Sequence, residues 1–274
     1  MSDIQEAPLS VKNYDVMKAH RESGHTVVVE DSPRRLRVVF NGETIADSIR
    51  AKLLHETKHL PIYYVPVDDV RMDLLEKTGH KTHCPFKGDA SYWTVKVGDR
   101  VAENAVWGYE DPIEGQDDLK GLVAFYSGKM DRWYEEDEEI VIHPRDPYKR
   151  IDTVASSRRV QVKVGGEIVA DSTRGHFLFE TGLPTRYYLP IDDVRMDLLE
   201  ATDLRTGCPY KGTASYYSVH VGGQTFENIV WFYSDPIPEC PKIKDLLCFF
   251  NEKVEAILVD GVEIPKVPSP WSED

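Results

Sequence analysis

A thiol and an ammonium stand three residues apart in Thr82-His83-Cys84-Pro85-Phe86-Lys87-Gly88. The same pair returns in Thr206-Gly207-Cys208-Pro209-Tyr210-Lys211-Gly212. A turn built on Cys-Pro and closed by Lys-Gly would bring the two groups together, and a nearby cation favours the thiolate, the nucleophilic form of cysteine. Cys84 and Cys208 are therefore candidate nucleophiles. The structural alternative, a thiol packed as a small hydrophobe beside a loop lysine, carries more weight, because unreactive buried cysteine is common. No histidine occupies the same place in both stretches, which weakens a Cys-His pair. His80 and His83 beside Cys84 resemble part of a metal site, but Leu204 and Gly207 replace them in the second stretch, so no metal is expected there.

Two further sets of residues could do chemistry. Arg71/Arg195 and Lys87/Lys211 are the cations inside the longest blocks that the two halves share, which makes them candidates to hold an anionic ligand group. Internal ion pairs of the arginines with Asp68 or Asp73 explain them at least as well. Asp68, Asp69 and Asp73 could instead offer carboxylates to Mg²⁺, as nucleotidyl transfer requires, but no Gly-rich phosphate loop accompanies them. Glu103-Asn104-x-Val106-Trp107-x-Tyr109-x-Asp111-Pro112 recurs from Glu227 to Pro236. On a regular strand Glu103, Trp107, Tyr109 and Asp111 share a face, as do Glu227, Trp231, Tyr233 and Asp235, and would line one wall of a pocket. Glu103/Glu227 have no evident structural duty in a β run and are the candidate acid or base. Trp107 and Asp111 read first as core strand and turn. Tyr63-Tyr64 and Tyr187-Tyr188 are either a further pocket wall or core.

These residues must be positioned by a unit that is written twice. Asp68-Asp69-Val70-Arg71-Met72-Asp73-Leu74-Leu75-Glu76 reappears from Asp192 to Glu200, and the same offset runs without a gap from Ser32/Ser156 to Lys129/Lys253. Roughly half of the paired positions are identical, the mark of a tandem duplication. Within the first copy, Asn41-Gly42 joins two β-rich runs and predicts a tight hairpin, with Gly165-Gly166 at the matching place. A second hairpin is predicted about Gly98-Asp99, matched by Gly222-Gly223. Between the hairpins, Pro66 followed by Asp68-Asp69 predicts a short helix that ends near Thr78-Gly79. An apolar strand over Leu122–Tyr126 and a stretch Ile140-Val141-Ile142 complete the unit. The run Glu135-Glu136-Asp137-Glu138-Glu139 reads as a solvated face.

The expected organisation is an N-terminal arm at 1–24, repeats at 25–144 and 145–268, and a tail at 269–274. The fold class is mainly β: two homologous compact domains, barrel- or sandwich-like with one or two short helices each, packed as a pseudo-dimer because the linker is only a few residues long. A monomer with this internal pseudo-dimer is expected over a higher oligomer. A net charge of -14 over 274 residues opposes an extended nucleic-acid footprint. With no long apolar run and no signal-like start, neither membrane insertion nor secretion is expected, and the chain reads as cytoplasmic. Of four cysteines only Cys84 and Cys208 match between copies, and no C-x-x-C pair exists, so free thiols are expected.

The combination of Asp-Val-Arg-Met-Asp-Leu-Leu, Thr-x-Cys-Pro-[Phe/Tyr]-Lys-Gly-x-Ala-Ser-Tyr and Asn-x-Val-Trp-x-Tyr-x-Asp-Pro resembles the family called domain of unknown function 427, in tandem. A nucleotidyltransferase-like label is sometimes attached to that family. The resemblance covers nearly all of both repeats and implies a small, mainly β domain. Its motif residues, carried over as site candidates, are Arg71, Asp73, Cys84, Lys87, Tyr92, Glu103, Trp107, Tyr109 and Asp111, with Arg195, Asp197, Cys208, Lys211, Tyr216, Glu227, Trp231, Tyr233 and Asp235. The resulting expectation is a binding protein or enzyme for a small anionic or polar metabolite, with a pocket in each repeat and no identified cofactor. Its rivals are a protein-interaction module and a Mg²⁺-dependent nucleotidyl transferase.

Overall fold

The alternating and β-branched runs become strands in the computed structural model, which describes residues 24–140, 142–267, 269 and 272. The chain divides between Asp146 and Pro147 into two units, one for each repeat. The first unit contains β1 (Val27–Asp31), β2 (Leu36–Phe40), β3 (Glu43–Ser48), β4 (Lys52–Glu56), β5 (Ile62–Pro66), β6 (Leu75–Cys84), β7 (Gly88–Val97), β8 (Arg100–Gly108), β9 (Leu122–Phe125), β10 (Arg132–Glu135) and β11 (Glu138–Glu139). A seven-stranded sheet runs in the order β1-β4-β5-β9-β8-β7-β6, and a four-stranded sheet in the order β11-β10-β2-β3. The second unit repeats this with β12 (Ile151–Ala155), β13 (Val160–Val164), β14 (Glu167–Ser172), β15 (His176–Glu180), β16 (Arg186–Leu189), β17 (Leu199–Cys208), β18 (Gly212–Val221), β19 (Gln224–Phe232), β20 (Leu247–Phe249), β21 (Ala256–Val259) and β22 (Val262–Glu263). Its sheets run β12-β15-β16-β20-β19-β18-β17 and β14-β13-β21-β22. Both units are mainly β, as expected.

Each first-unit sheet contributes to a shared core. Leu36, Val38, Phe40 and Ile45 of the smaller sheet pack with Val65, Val95 and Val106 of the larger one. Period-two alternation aims the opposite side chains of the larger sheet at a second cluster, which holds Leu54, Tyr64, Tyr92, Tyr109 and Ala124. The functional candidates gather on that second face.

The hairpin turns are where the dipeptides put them. Asn41 and Gly42 both have positive φ, as do Gly165 and Gly166, which is the backbone requirement that two different sequences satisfy. The expected helix is corrected. Its start forms single turns of 3₁₀ helix at Val67–Asp69 and Met72–Leu74, with no side-chain cap from Pro66 or Arg71, and Ile191–Asp193 and Met196–Leu198 repeat them. Leu75–Cys84 then runs on as a strand paired with β7. Thr78, Gly79 and Thr82 are weak helix formers, and β7 offers an antiparallel partner on one side to Leu75–Lys77 and Lys81–Cys84.

The acidic run is a correction of another kind. It forms the hairpin between β10 and β11, with Glu136 at φ 52°, and is tied down by Arg34 on Glu135 and Arg37 on Asp137. Most of it stays exposed, so the solvated face holds for the side chains but not for the backbone. The expected arm over 1–24 lies outside the described residues except for Gly24. The expected tail is described only at Ser269 and Ser272, and Val141 of the Ile140–Ile142 stretch also lies outside them. Among the described residues no helix is long and apolar enough to cross a membrane.

Candidate functional site

The Cys-Pro-aromatic-Lys-Gly motif is the turn that joins β6 to β7, with Cys84 facing Gly88 across it. Gly88 has φ 102°, and a β-carbon there would stand 3.3 Å from the Ile113 nitrogen. Only glycine fits that conformation without strain. The Asp111-Pro112-Ile113 segment lies against the turn: Pro112 bridges to Gly88, and the Ile113 N–H donates to the Lys87 carbonyl at 3.2 Å. Gly212, Pro236 and Ile237 do the same for Lys211, with an N–H to carbonyl distance of 3.0 Å. The recurring Asp-Pro-Ile motif thus clamps the loop that carries the lysine.

Clamped this way, Lys87 points inward and is buried, and its ammonium donates to Glu56 at the end of β4. His25 Nε2 stands 3.1 Å from the other Glu56 oxygen, and its ring stacks on Phe86 at 3.6 Å between centroids. In the second unit Lys211 donates to buried Glu180 at 2.5 Å, and Lys149 reaches the same carboxylate at 2.9 Å while standing over the Tyr210 ring. The four positions correspond one for one. Burial alone would raise the Glu56 carboxyl, but the hydrogen bond and charge of Lys87, helped by His25, hold it below the ordinary carboxylate range. Glu180 is held down in the same manner by Lys211 and Lys149.

Beside this pair the first unit opens a cavity of about 630 Å³, lined by Tyr64, Lys87, Tyr92, Trp107, Tyr109 and Tyr126 among others. The Trp107 indole N–H donates to the Tyr64 hydroxyl at 3.1 Å, and the Tyr92 hydroxyl shares a hydrogen bond with Thr82 at 2.8 Å. Trp107 and Tyr126 meet at 4.5 Å between ring centroids. Burial pushes the Tyr64 and Tyr109 phenols well above their ordinary value and Tyr126 up to about 12, so all three are neutral hydrogen-bonding groups near neutrality. The walls are largely aromatic, Lys87 is neutralised by Glu56, and Lys58 adds an exposed ammonium to the lining. Such a site suits a flat ring with a polar end.

Among the sequence candidates, then, Lys87, Tyr92, Trp107 and Tyr109 come together at the cavity. Cys84 packs, half-buried, in the same aromatic cluster. Lys211, Tyr216, Trp231 and Tyr233 come together in the second unit, where Cys208 Sγ lies 3.7 Å from the Lys211 ammonium. The other candidates lie elsewhere. Arg71 and Asp73 form an exposed two-pronged ion pair at 2.8 and 2.7 Å, and Arg195 with Asp197 repeats it at 2.9 and 2.7 Å. Asp69 is held by Arg50 and Ser48. Asp111 and Asp235 are exposed ends of the clamp.

Glu103 and Glu227 do not share a wall with Trp107 and Trp231. Asn104 and Asn228 have φ 46° and 53° and mark β-bulges: β8 runs from Ala102 to Val106 while its partner runs only from Val95 to Trp93, and β19 runs from Phe226 to Val230 against Val219 to Tyr217, so each glutamate sits in the extra, unpaired backbone outside the ladder. The Thr78 hydroxyl donates to the Asn104 side chain at 2.6 Å, and Thr202 does so to Asn228 at the same distance. Glu103 is left exposed, with its carbonyl accepting from Lys129 at 2.7 Å. Among the described residues no group of three or more His, Cys, Asp or Glu side chains is placed to hold a metal ion.

Glu56 and Glu180 are the residues of the candidate site that sequence reasoning missed. The available signal was a carboxylate identical in both copies at the end of a mostly apolar run, Leu53-Leu54-His55-Glu56 and Phe177-Leu178-Phe179-Glu180. A family model labelled NTP_transf_9 and described as Domain of unknown function (DUF427) matches residues 28–136 and again residues 152–260, together well over half of the chain. No curated protein matches the chain.

Proposed function

The chain belongs to the DUF427 family through both of its repeats, and from that premise we propose that it binds a small molecule in the aromatic cavity of the first repeat. The observation that carries this reading is the cavity itself: about 630 Å³, within the range of small-molecule sites, walled by eight Phe, Tyr and Trp residues and given one buried ammonium–carboxylate pair. An ammonium has three donors, and Glu56 takes one of them. The others suit a carbonyl, amide or carboxylate on a ring held between Trp107 and Tyr126. The ligand class is therefore a planar aromatic or conjugated metabolite with a polar or anionic end. Nucleotidyl transfer draws less support, because Asp69 and Asp73 are committed to Arg50 and Arg71 and do not line the cavity.

Two dyes test the reading. Anilinonaphthalene sulfonate and its uncharged relative phenylnaphthylamine present the same rings with and without an anion. Fluorescence titration of the full chain is expected to show saturable binding of at least one dye. Tyr126→Ala, at an exposed position that folding tolerates, weakens it about tenfold, the scale of one lost ring contact. Preference for the sulfonate assigns an anionic end. Binding of neither dye, or binding indifferent to Tyr126→Ala and Trp107→Leu, overturns the proposal and favours a protein-interaction module.

A further inference from the structure

The two repeats place the same rings in the same positions, yet leave them open in one and covered in the other. Tyr126 is 41% exposed and Trp107 half-buried, whereas their counterparts Phe250 and Trp231 are 9% and 7% exposed. The ring pairs are otherwise alike, with centroids 4.5 Å apart in both units. The indole-to-phenol hydrogen bond is also kept, from Trp231 to Tyr188 at 3.1 Å.

Among the positions that differ between the repeats, two bring a buried charge to the rings. Ile62 stands opposite Leu54 in the β4–β5 ladder, and Arg186 stands opposite Leu178 at the same register of the β15–β16 ladder. Ile62 lines the open cavity. Arg186 instead lays its guanidinium over the Trp231 ring, 5.5 Å from the centroid, and donates twice to Glu252 at 2.8 and 2.7 Å. Both side chains are buried, 6% and 4% exposed, and the Ser269 hydroxyl donates to the same carboxylate. Glu252 corresponds to Gly128 in the first repeat. A planar cation stacked on an indole and held by a two-pronged carboxylate is a rigid arrangement that occupies the indole face itself.

We infer that the Arg186–Glu252 ion pair is an internal plug, which fills in the second repeat the space that a ring-shaped ligand takes in the first, so that the duplicated chain binds one ligand. This rests on the proposed function of the first cavity. Ile62 and Gly128 are on this view the specificity-determining residues that keep the first site open. The second repeat keeps the aromatic scaffold and the Lys211–Glu180 pair as structure.

The test exchanges the two positions between repeats. Arg186→Ile with Glu252→Gly removes both charges together, which leaves no lone buried ion. Ile62→Arg with Gly128→Glu installs the plug in the first repeat, where a β-carbon on Gly128 meets no atom within 4 Å. Binding of phenylnaphthylamine and anilinonaphthalene sulfonate is followed by the Trp107 and Trp231 indole N–H resonances of tryptophan-labelled protein. In the unaltered chain the dye is expected to shift Trp107 and leave Trp231 in place. The opened variant is expected to shift both and to double the number of sites, and the plugged variant to lose the Trp107 response with at least tenfold weaker binding. A Trp231 shift in the unaltered chain overturns the inference and leaves the first site standing, as does a plugged variant that folds and binds unchanged. Absence of any dye binding in the unaltered chain overturns the reading of the first site and the inference together. Should the opened variant fail to fold, the plugged variant alone decides.

Discussion

Replacing Lys87 by methionine keeps the length of the side chain and removes the charge that holds Glu56 in the interior. Both side chains of the pair are 8% exposed, so solvent cannot take over the role of the ammonium. Only His25, 3.1 Å from one oxygen and 25% exposed, is left beside the carboxylate among the partners described above. Breaking a buried pair from one side costs about 3–5 kcal/mol, because an uncompensated charge remains. For a folding unit the size of one repeat, about 4 °C per kcal/mol gives a fall of roughly 12–20 °C in that unit's melting transition. Calorimetry of the full chain is expected to show this as a lowered melting transition.

The pH dependence fixes the cause. Lys87 holds the Glu56 carboxyl below its ordinary value in the intact protein, so the pair stabilises the fold above the carboxylate range and that contribution is lost as pH falls through the lowered value. In Lys87→Met the same burial pushes the carboxyl up, and it becomes neutral, and better tolerated, as the solution is acidified. The gap between the two proteins is therefore widest near neutrality and narrows towards about pH 4. Adding Glu56→Leu to Lys87→Met is expected to recover most of the loss, since an apolar pair can replace a buried ionic one at little cost. A loss below about 1 kcal/mol, the value of an exposed pair, would refute the reasoning. So would a gap that does not change with pH.

Two further predictions test how the site is held. Asn104→Ala forces a left-handed backbone on alanine and removes the acceptor of the Thr78 hydroxyl, a combined loss of about 2–3 kcal/mol, whereas Asn104→Gly keeps the backbone and loses only about 1 kcal/mol. Urea midpoints of the two variants check this, and equal losses would remove the bulge as the reason for asparagine. Burial pushes the Cys248 thiol up to about 12 and raises Cys240 as well. Iodoacetamide is accordingly expected to modify Cys84 and Cys208 in the folded protein and to spare the other two until urea is added, read by peptide mass mapping. Modification of Cys248 as fast as Cys84 would contradict its complete enclosure.

How much of this was legible in the residues follows from the range of the interactions involved. The Asn-Gly and Gly-Gly turns and the β-rich hairpins depend on neighbours a few positions apart, and the duplication shows as self-similarity at one offset, so the sequence determined them by itself. It also singled out Lys87, Trp107, Tyr109 and Cys84, since each stands in a block that both copies repeat. Phase along a strand was legible only where the strand was regular. Placing Glu103 beside Trp107 assumed an unbroken ladder, and Asn104 had already announced the bulge by being a residue that tolerates positive φ. The Asp68-Asp69 segment looked like a helix start because carboxylates suit free N–H groups, but Leu75–Cys84 had a strand partner across the Cys-Pro turn and a 3₁₀ turn was all that remained.

What only the tertiary structure decided is the partner of each buried charge. Lys87 and Glu56 are 31 residues apart and meet because β4 and the β6–β7 turn are brought together by the sheet and the Asp-Pro-Ile clamp. Arg186 and Glu252 are 66 residues apart, and nothing local distinguishes that arginine from the many that lie on the surface. A charge enters the interior only when an opposite charge arrives with it, and which charges arrive is set by how strands are ordered in the sheet rather than in the chain.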